Sequence, residues 1–245
     1  MGEIHYFFRT SVEENKFINF GAVHLTLLCI ALLGGLTIIY RKRESRLFEL
    51  FVGITLLIQQ TTLYIWYFKG NYHFLQEGLP LFHCRIAIIL ISVGMIFKRE
   101  FMMKMGSYWG IFGSTSALLF PGLDPFVFPH MTQFSYFIGH ILLFWGSIYL
   151  LKVKKIGMNK NDFKNVFIIT NLYHIVIFNI NNLINSNYAY MKSSPIGIGN
   201  KLSPILYGFV VIMIFNLILS LECFIINKSK EDEIEECYEV EVLNI

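Results

Sequence analysis

Seven apolar stretches, at residues 19–40, 48–68, 79–97, 105–121, 131–151, 164–184 and 204–226, constrain this chain more than any other feature. Each is long enough to cross about 30 Å of hydrocarbon as a helix, a solvent in which the backbone must satisfy its own hydrogen bonds. They predict an all-α, polytopic membrane protein built as a seven-transmembrane-helix bundle. With 55% hydrophobic residues against 15% charged, and a mean hydropathy of +0.54, an ordinary soluble domain of this length is excluded.

The basic residues between the stretches alternate from side to side. Fourteen fall on one side (Arg41, Lys42, Arg43 and Arg46; Lys98, Arg99 and Lys104; Lys152, Lys154, Lys155, Lys160 and Lys164; Lys228 and Lys230), against five on the other (Arg9, Lys16, Lys69, Lys192 and Lys201). The positive-inside rule then sets the N-terminus outside and the C-terminus in the cytoplasm. This predicts an extracellular segment at 1–18, a transmembrane domain at 19–226 and an acidic cytoplasmic tail at 227–245, in a multi-pass protein of the cell (plasma) membrane. Glu3, Arg9, Glu13, Glu14 and Lys16 precede any apolar run, which is not the layout of a cleavable signal peptide, so the first span is expected to stay as an anchor. Net charge +3 conceals a segregation of basic loops from the acidic tail, so membrane phospholipids rather than nucleic acid are the expected partners. The four cysteines, Cys29, Cys84, Cys223 and Cys237, show no paired spacing and predict neither a disulfide frame nor a zinc site. The histidines likewise have no fixed ligand spacing, so neither a metal nor a cofactor is expected.

Polar residues inside the spans concentrate in their outer halves. His83, Cys84 and Arg85 stand at the mouth of the third span, where an ionisable group is costly unless it faces a polar cavity or a partner. On the fifth, Gln133, Tyr136, His140 and Ser147 form one stripe at helical spacing, with His130 at the entrance. The sixth carries Asn171, His174, Asn181, Asn182 and Asn185, the second Gln59, Gln60, Thr61, Thr62 and Tyr64, and the first His24. The simplest packing turns the cluster toward a shared cavity, with His174 deeper and structural. Gln59, Gln60 and the threonines serve equally well as interhelical hydrogen-bond partners. Gly106, Gly110, Gly113 and Ser114 read as a packing stripe on the fourth span.

Within that cavity Cys84 stands apart from Cys29 and Cys223, which have no polar company. Arg85 and the helix N-terminus both favour its thiolate. Adjacent helix residues point about 100° apart, so His83, Cys84 and Arg85 cannot address one point, and a base from another helix fits better. His140 lies roughly 8 to 10 Å deeper than Cys84 by residue counting, and His130 is the shallower candidate. Asn181, Asn182 or Arg85 would stabilise an oxyanion, or Arg85 would grip a lipid phosphate.

Three stretches carry a resemblance. They are Leu79-Pro80-Leu81-Phe82-His83-Cys84-Arg85; Asp124-Pro125 and Phe128-Pro129-His130 followed by Phe137-Ile138-Gly139-His140; and Asn182 to Tyr190 with Pro195. Over about residues 20–220 the chain resembles the YwaF-like bacterial integral membrane proteins, whose eukaryotic relative is transmembrane protein 164. The resemblance implies a seven-span fold and lipid acyl transfer on ether phospholipids, with Cys84 and His140 as the catalytic pair and Asn187 and Tyr188 of the third stretch joining the substrate-binding set with Tyr136. Phe82 stands where the family pattern carries a histidine, and Ser194 where it carries a basic residue. The expected activity is that of a membrane-embedded lipid acyltransferase or acyl-lipid hydrolase. The alternative is a non-catalytic receptor, lipid-binding protein or transport accessory protein, in which Arg85 is a ligand counter-ion.

Overall fold

A computed structural model describes residues 2–13, 17–194, 197–199 and 201–243, from residue 230 onward as backbone alone. The acidic side chains of the tail, Lys16 and Pro195 lie outside the described residues. Among those described, the secondary structure is helical, without strands. A short helix, α1 (Gly2–Phe7), precedes seven longer ones: α2 (Ala22–Arg41), α3 (Arg46–Gly70), α4 (His83–Phe97), α5 (Glu100–Leu119), α6 (Met131–Ile148), α7 (Lys160–Leu183) and α8 (Pro204–Leu243). Five are long and apolar enough to cross a membrane: α2, α3, α6 with the turn that extends it to Val153, α7, and the Pro204–Ser229 part of α8. The other two are shorter or more polar. Helix α4 has 15 residues, a rise of about 22 Å, and α5 opens on Glu100 with Lys104 one turn later.

The predicted third stretch begins at Leu79, but its helix begins at His83. Pro80 keeps Leu79 out of the helix, because the residue before a proline is pushed out of the helical region; Leu79 is extended at ψ 152°, and Phe82, at ψ 142°, is the extended residue that precedes the first turn. The effect is to place Cys84 and Arg85 in the first turn of α4, beneath a folded-back segment.

Helix α6 is the centre of the bundle. Of its apolar window 61% is buried, against 17% for α2 and 11% for α8. Outward-facing Leu32, Leu36, Leu172, Phe209 and Leu217 are largely exposed, as suits helices whose outer solvent is hydrocarbon. Two glycines of α5 let its neighbours close in. A Cβ on Gly106 would lie 2.9 Å from Ile91 Cγ1 on α4, and one on Gly110 would collide with Ser147 on α6.

The end carrying the basic loops is tied by ion pairs. Glu49 is buried and accepts from Lys154 Nζ at 2.7 Å, Arg46 Nη1 at 2.9 Å and Tyr149 Oη at 3.1 Å. Arg46 also donates to the last carbonyls of α4, at Met95 and Ile96, the favoured place for a cation. Lys104 bridges Glu100 and Asp162, both at 2.7 Å. At the opposite end Arg9 donates to the carbonyls of Val127 and Pro129, and Trp66 Nε1 to Phe8 O. These bonds seat the N-terminal segment on the loop before α6.

Candidate functional site

A cavity of about 480 Å³ opens between α3, α4, α5, α6 and α8, toward the end away from the basic loops. Leu63, Ile88, Phe112 and Phe215 supply apolar wall. Of the nine residues given a catalytic, oxyanion or substrate-binding role from the sequence, Cys84, Arg85, Tyr136 and His140 line it, and so do His83, Gln59 and Gln60 of the wider polar cluster.

Cys84 lies in the first turn of α4, facing α5. A Cβ on Gly113 would stand 3.8 Å from Cys84 Cβ, so the glycine leaves the space beside the thiol open. The third member of the predicted glycine stripe thus borders the cavity.

His140 is held in one tautomer. Its Nδ1 lies 2.7 Å from Tyr136 O; a carbonyl only accepts, so Nδ1 carries the proton. Nε2 is then the lone-pair nitrogen, and it is buried without a hydrogen-bond partner. Tyr136 is clamped in turn, donating to Ala117 O at 2.9 Å and accepting from Gly122 N at 3.2 Å.

Arg85 marks the charged end of the cavity. Its Nη1 donates to the carbonyls of Glu77 and Leu79, and its Nη2 to Tyr67 Oη at 3.3 Å. Tyr67 Oη donates to both carboxylate oxygens of Asp124 at 3.2 Å. The guanidinium also lies over the rings of Phe82 and Tyr67, 5.0 and 5.1 Å from their centroids. Glu77 and Asp124 belong to the loops around the cavity, and burial holds both carboxyls above their ordinary range, with Arg85 opposing the shift.

His83 also lines the cavity, but its Nε2 is engaged with another imidazole. Its Nε2 is 2.9 Å from His174 Nε2, and its ring stacks on Phe215 at 4.4 Å. His174 differs from the sequence expectation, which sets it apart from the cluster; it is bonded to the neighbour of Cys84.

The polar groups of α3 fare differently. Gln59 Nε2 donates to Ser135 Oγ, but Gln59 Oε1 and both amide atoms of Gln60 are buried without a partner. Both glutamines line the cavity. A Cβ on Gly139 would meet Gln59 Oε1 at 3.1 Å, so the amide rests against the backbone next to His140.

The other five predicted residues stand outside the cavity lining. His130 caps α6, with Nδ1 toward Thr132 and Nε2 2.9 Å from Arg9 O. Burial holds its pKa below the ordinary 6.5, against the pull of that hydrogen bond. Asn181 donates to Tyr188 O and accepts from Ser186 Oγ and Tyr188 N. Asn187 organises the turn to Ser193, Tyr188 pins Leu75 and Leu79, and Asn182 is exposed. Asn181, Asn187 and Tyr188 organise the loop from 184 to 193 that places Ala189 and Tyr190 over the cavity. Sequence reading gave no role to Glu77, Tyr67 or Asp124 at the charged end, because their encounter joins three separate segments. Among the described residues no three His, Cys, Asp or Glu side chains gather as a metal-ligand set.

No curated protein and no solved structure matches the chain. The sequence model of the TMEM164 family matches residues 12–227, a range that contains every residue of this cavity; the chain belongs to the TMEM164 family.

Proposed function

We propose that this protein is a thiol-dependent lipid acyltransferase of the cell membrane, with Cys84 as nucleophile and His140 as general base. The observation that carries the reading is the state of His140: a fixed Nδ1–H leaves an unpartnered Nε2 in the same cavity that Cys84 lines. In this reading the chain crosses the membrane seven times, N-terminus outside and acidic tail in the cytoplasm, and the cavity opens in the outer half. The domain is 19–226, flanked by the terminal segments at 1–18 and 227–245.

In the first half-reaction His140 Nε2 takes the thiol proton and Cys84 Sγ attacks the carbonyl carbon of a phospholipid ester. The carbonyl π bond opens to an oxyanion. Its collapse expels the lysolipid alkoxide, which receives the proton from His140, and a thioester remains on Cys84. A lysophospholipid hydroxyl then gives its proton to His140 and attacks the thioester, restoring ester and thiol; water in that place would give hydrolysis. Arg85 suits the lipid phosphate, as a cation already oriented by two carbonyls and Tyr67.

Purified protein in liposomes, given a phospholipid with a labelled acyl chain and a lysophospholipid acceptor, tests this reading. The expected result is transfer by the native protein and none by Cys84→Ala at unchanged melting temperature; an active Cys84→Ala protein overturns it. The charged end, where Arg85 meets Asp124 through Tyr67, supports a second reading as a non-catalytic binder. Ligand binding would then survive Cys84→Ala and be lost in Arg85→Ala.

A further inference from the structure

We infer that Gln60 supplies the oxyanion donor of the acyl-transfer centre, an assignment that rests on the proposed acyltransferase reading and moves the role from α7 to α3. Gln60 is 2% exposed. No hydrogen bond of ordinary geometry reaches its Nε2 or Oε1; the Tyr64 hydroxyl one turn along on the same helix is its hydrogen-bonding neighbour, in a looser contact. A buried amide without full partners is destabilising in general. A side chain kept in that condition beside a cavity is available to a ligand.

The neighbours define which ligand. The wall around Gln60 is mainly apolar and carries a thiol and a lone-pair imidazole nitrogen, which suits an acyl ester whose carbonyl oxygen is its one strong acceptor. Asn181, the sequence candidate, has its amide committed to the loop at Tyr188 and Ser186. Gln59 donates to Ser135, and Arg85 donates to carbonyls and Tyr67. Of the two glutamines that line the cavity, Gln60 is the one whose Nε2 makes no hydrogen bond of ordinary geometry, and its looser contact to Tyr64 is one a ligand carbonyl can replace. When Cys84 Sγ adds to the ester, the new C–S bond moves the π electrons onto oxygen, and Gln60 Nε2–H donates to that oxyanion. The bond is stronger in the transition state than to the neutral carbonyl, so it acts on kcat more than on KM.

The test uses the full chain in liposomes with a phospholipid donor and lysophospholipid acceptor, comparing native protein, Gln60→Met, Gln60→Glu and Cys84→Ala. Both Gln60 variants keep the length of the side chain; methionine lacks a donor, whereas a glutamate in an apolar wall stays protonated and keeps an O–H to donate. The expected result is a kcat for Gln60→Met lowered about 10²–10³-fold with KM within about threefold, and a smaller loss for Gln60→Glu. Gln60→Met should also melt no lower than the native protein, a result opposite to that of a purely structural glutamine. Transfer by Gln60→Met within threefold of native, with Cys84→Ala inactive, overturns the assignment and leaves the acyltransferase reading standing. Gln60→Met that melts well below native also overturns it, because the amide is then structural. An inactive native protein, or an active Cys84→Ala, overturns both.

Discussion

Two clusters of buried polar groups sit at opposite ends of the same bundle, and they are built on different terms. At the basic end, Glu49 is met by Lys154, Arg46 and Tyr149, and none of these four residues has a buried polar atom without a partner. In the cavity, Gln60, Gln59 Oε1 and His140 Nε2 are buried and unpartnered. The first cluster fastens α3 to the end of α4 and to α6. The second holds polar atoms where they do nothing for the fold, which is the usual mark of groups kept for a ligand. Burial alone does not separate the two; partner satisfaction does.

The sharpest break in this comparison lies in the sign of substitution effects. His140→Gln should lower acyl transfer about 10²–10⁴-fold while leaving the melting temperature within about 2 °C, as read by transfer assay and thermal unfolding in detergent. A large loss of stability would move His140 into the fastening class. Glu49→Gln should do the reverse, with transfer per folded molecule unchanged and about 2 kcal/mol of stability lost. Arg46 and Lys154 are partly exposed, which keeps that loss below the value for a fully buried pair. Thermal unfolding of this variant at equal protein concentration checks it.

A steric probe tests the space rather than the charge. Gly113→Leu places a side chain where only a glycine now faces Cys84, so labelling of Cys84 by a thiol reagent should slow at least tenfold, with little effect on Glu49 or its partners. Unchanged labelling would mean that the thiol is reached from another side.

The smallest effect concerns His130, which belongs to the fastening class. Its pKa is held below 6.5 in the folded chain, so the unfolded chain binds the proton more readily, and stability falls as pH drops through 6.5. His130→Asn keeps a capping oxygen and should flatten that decline without altering transfer. The readout is melting temperature across pH 5 to 8.

Much of the fold was legible because hydropathy and helix formation coincide here. A helix occupies each predicted stretch, with several ends displaced: α4 begins at His83, beyond Pro80, α5 opens earlier at Glu100, and α8 runs on to Leu243. The site was legible in part. Cys84 and His140 stand out as ionisable or nucleophilic residues in apolar runs, and both border the cavity. Gln60 was given no catalytic role, because a glutamine in a membrane helix commonly bonds to a neighbouring helix, and only coordinates reveal that this one meets Tyr64 of its own helix instead. Asn181 misled for the converse reason: its amide looks available in the sequence, but the backbone of Tyr188 and Ser186 Oγ occupy it. The Arg85–Tyr67–Asp124 chain joins α4, α3 and the loop before α6, an encounter no local spacing encodes.

In the proposed reading, the unpartnered cavity groups receive an acyl ester that passes through Cys84. Intact-mass and peptide analysis of the purified protein, after incubation with phospholipid alone and quenching in acid, measures this directly. The expected result is one added acyl group on the peptide containing Cys84, released by hydroxylamine and absent in Cys84→Ala. A protein that transfers acyl chains while Cys84 stays unmodified under every quench time, or one that carries the acyl group on another residue, would contradict it.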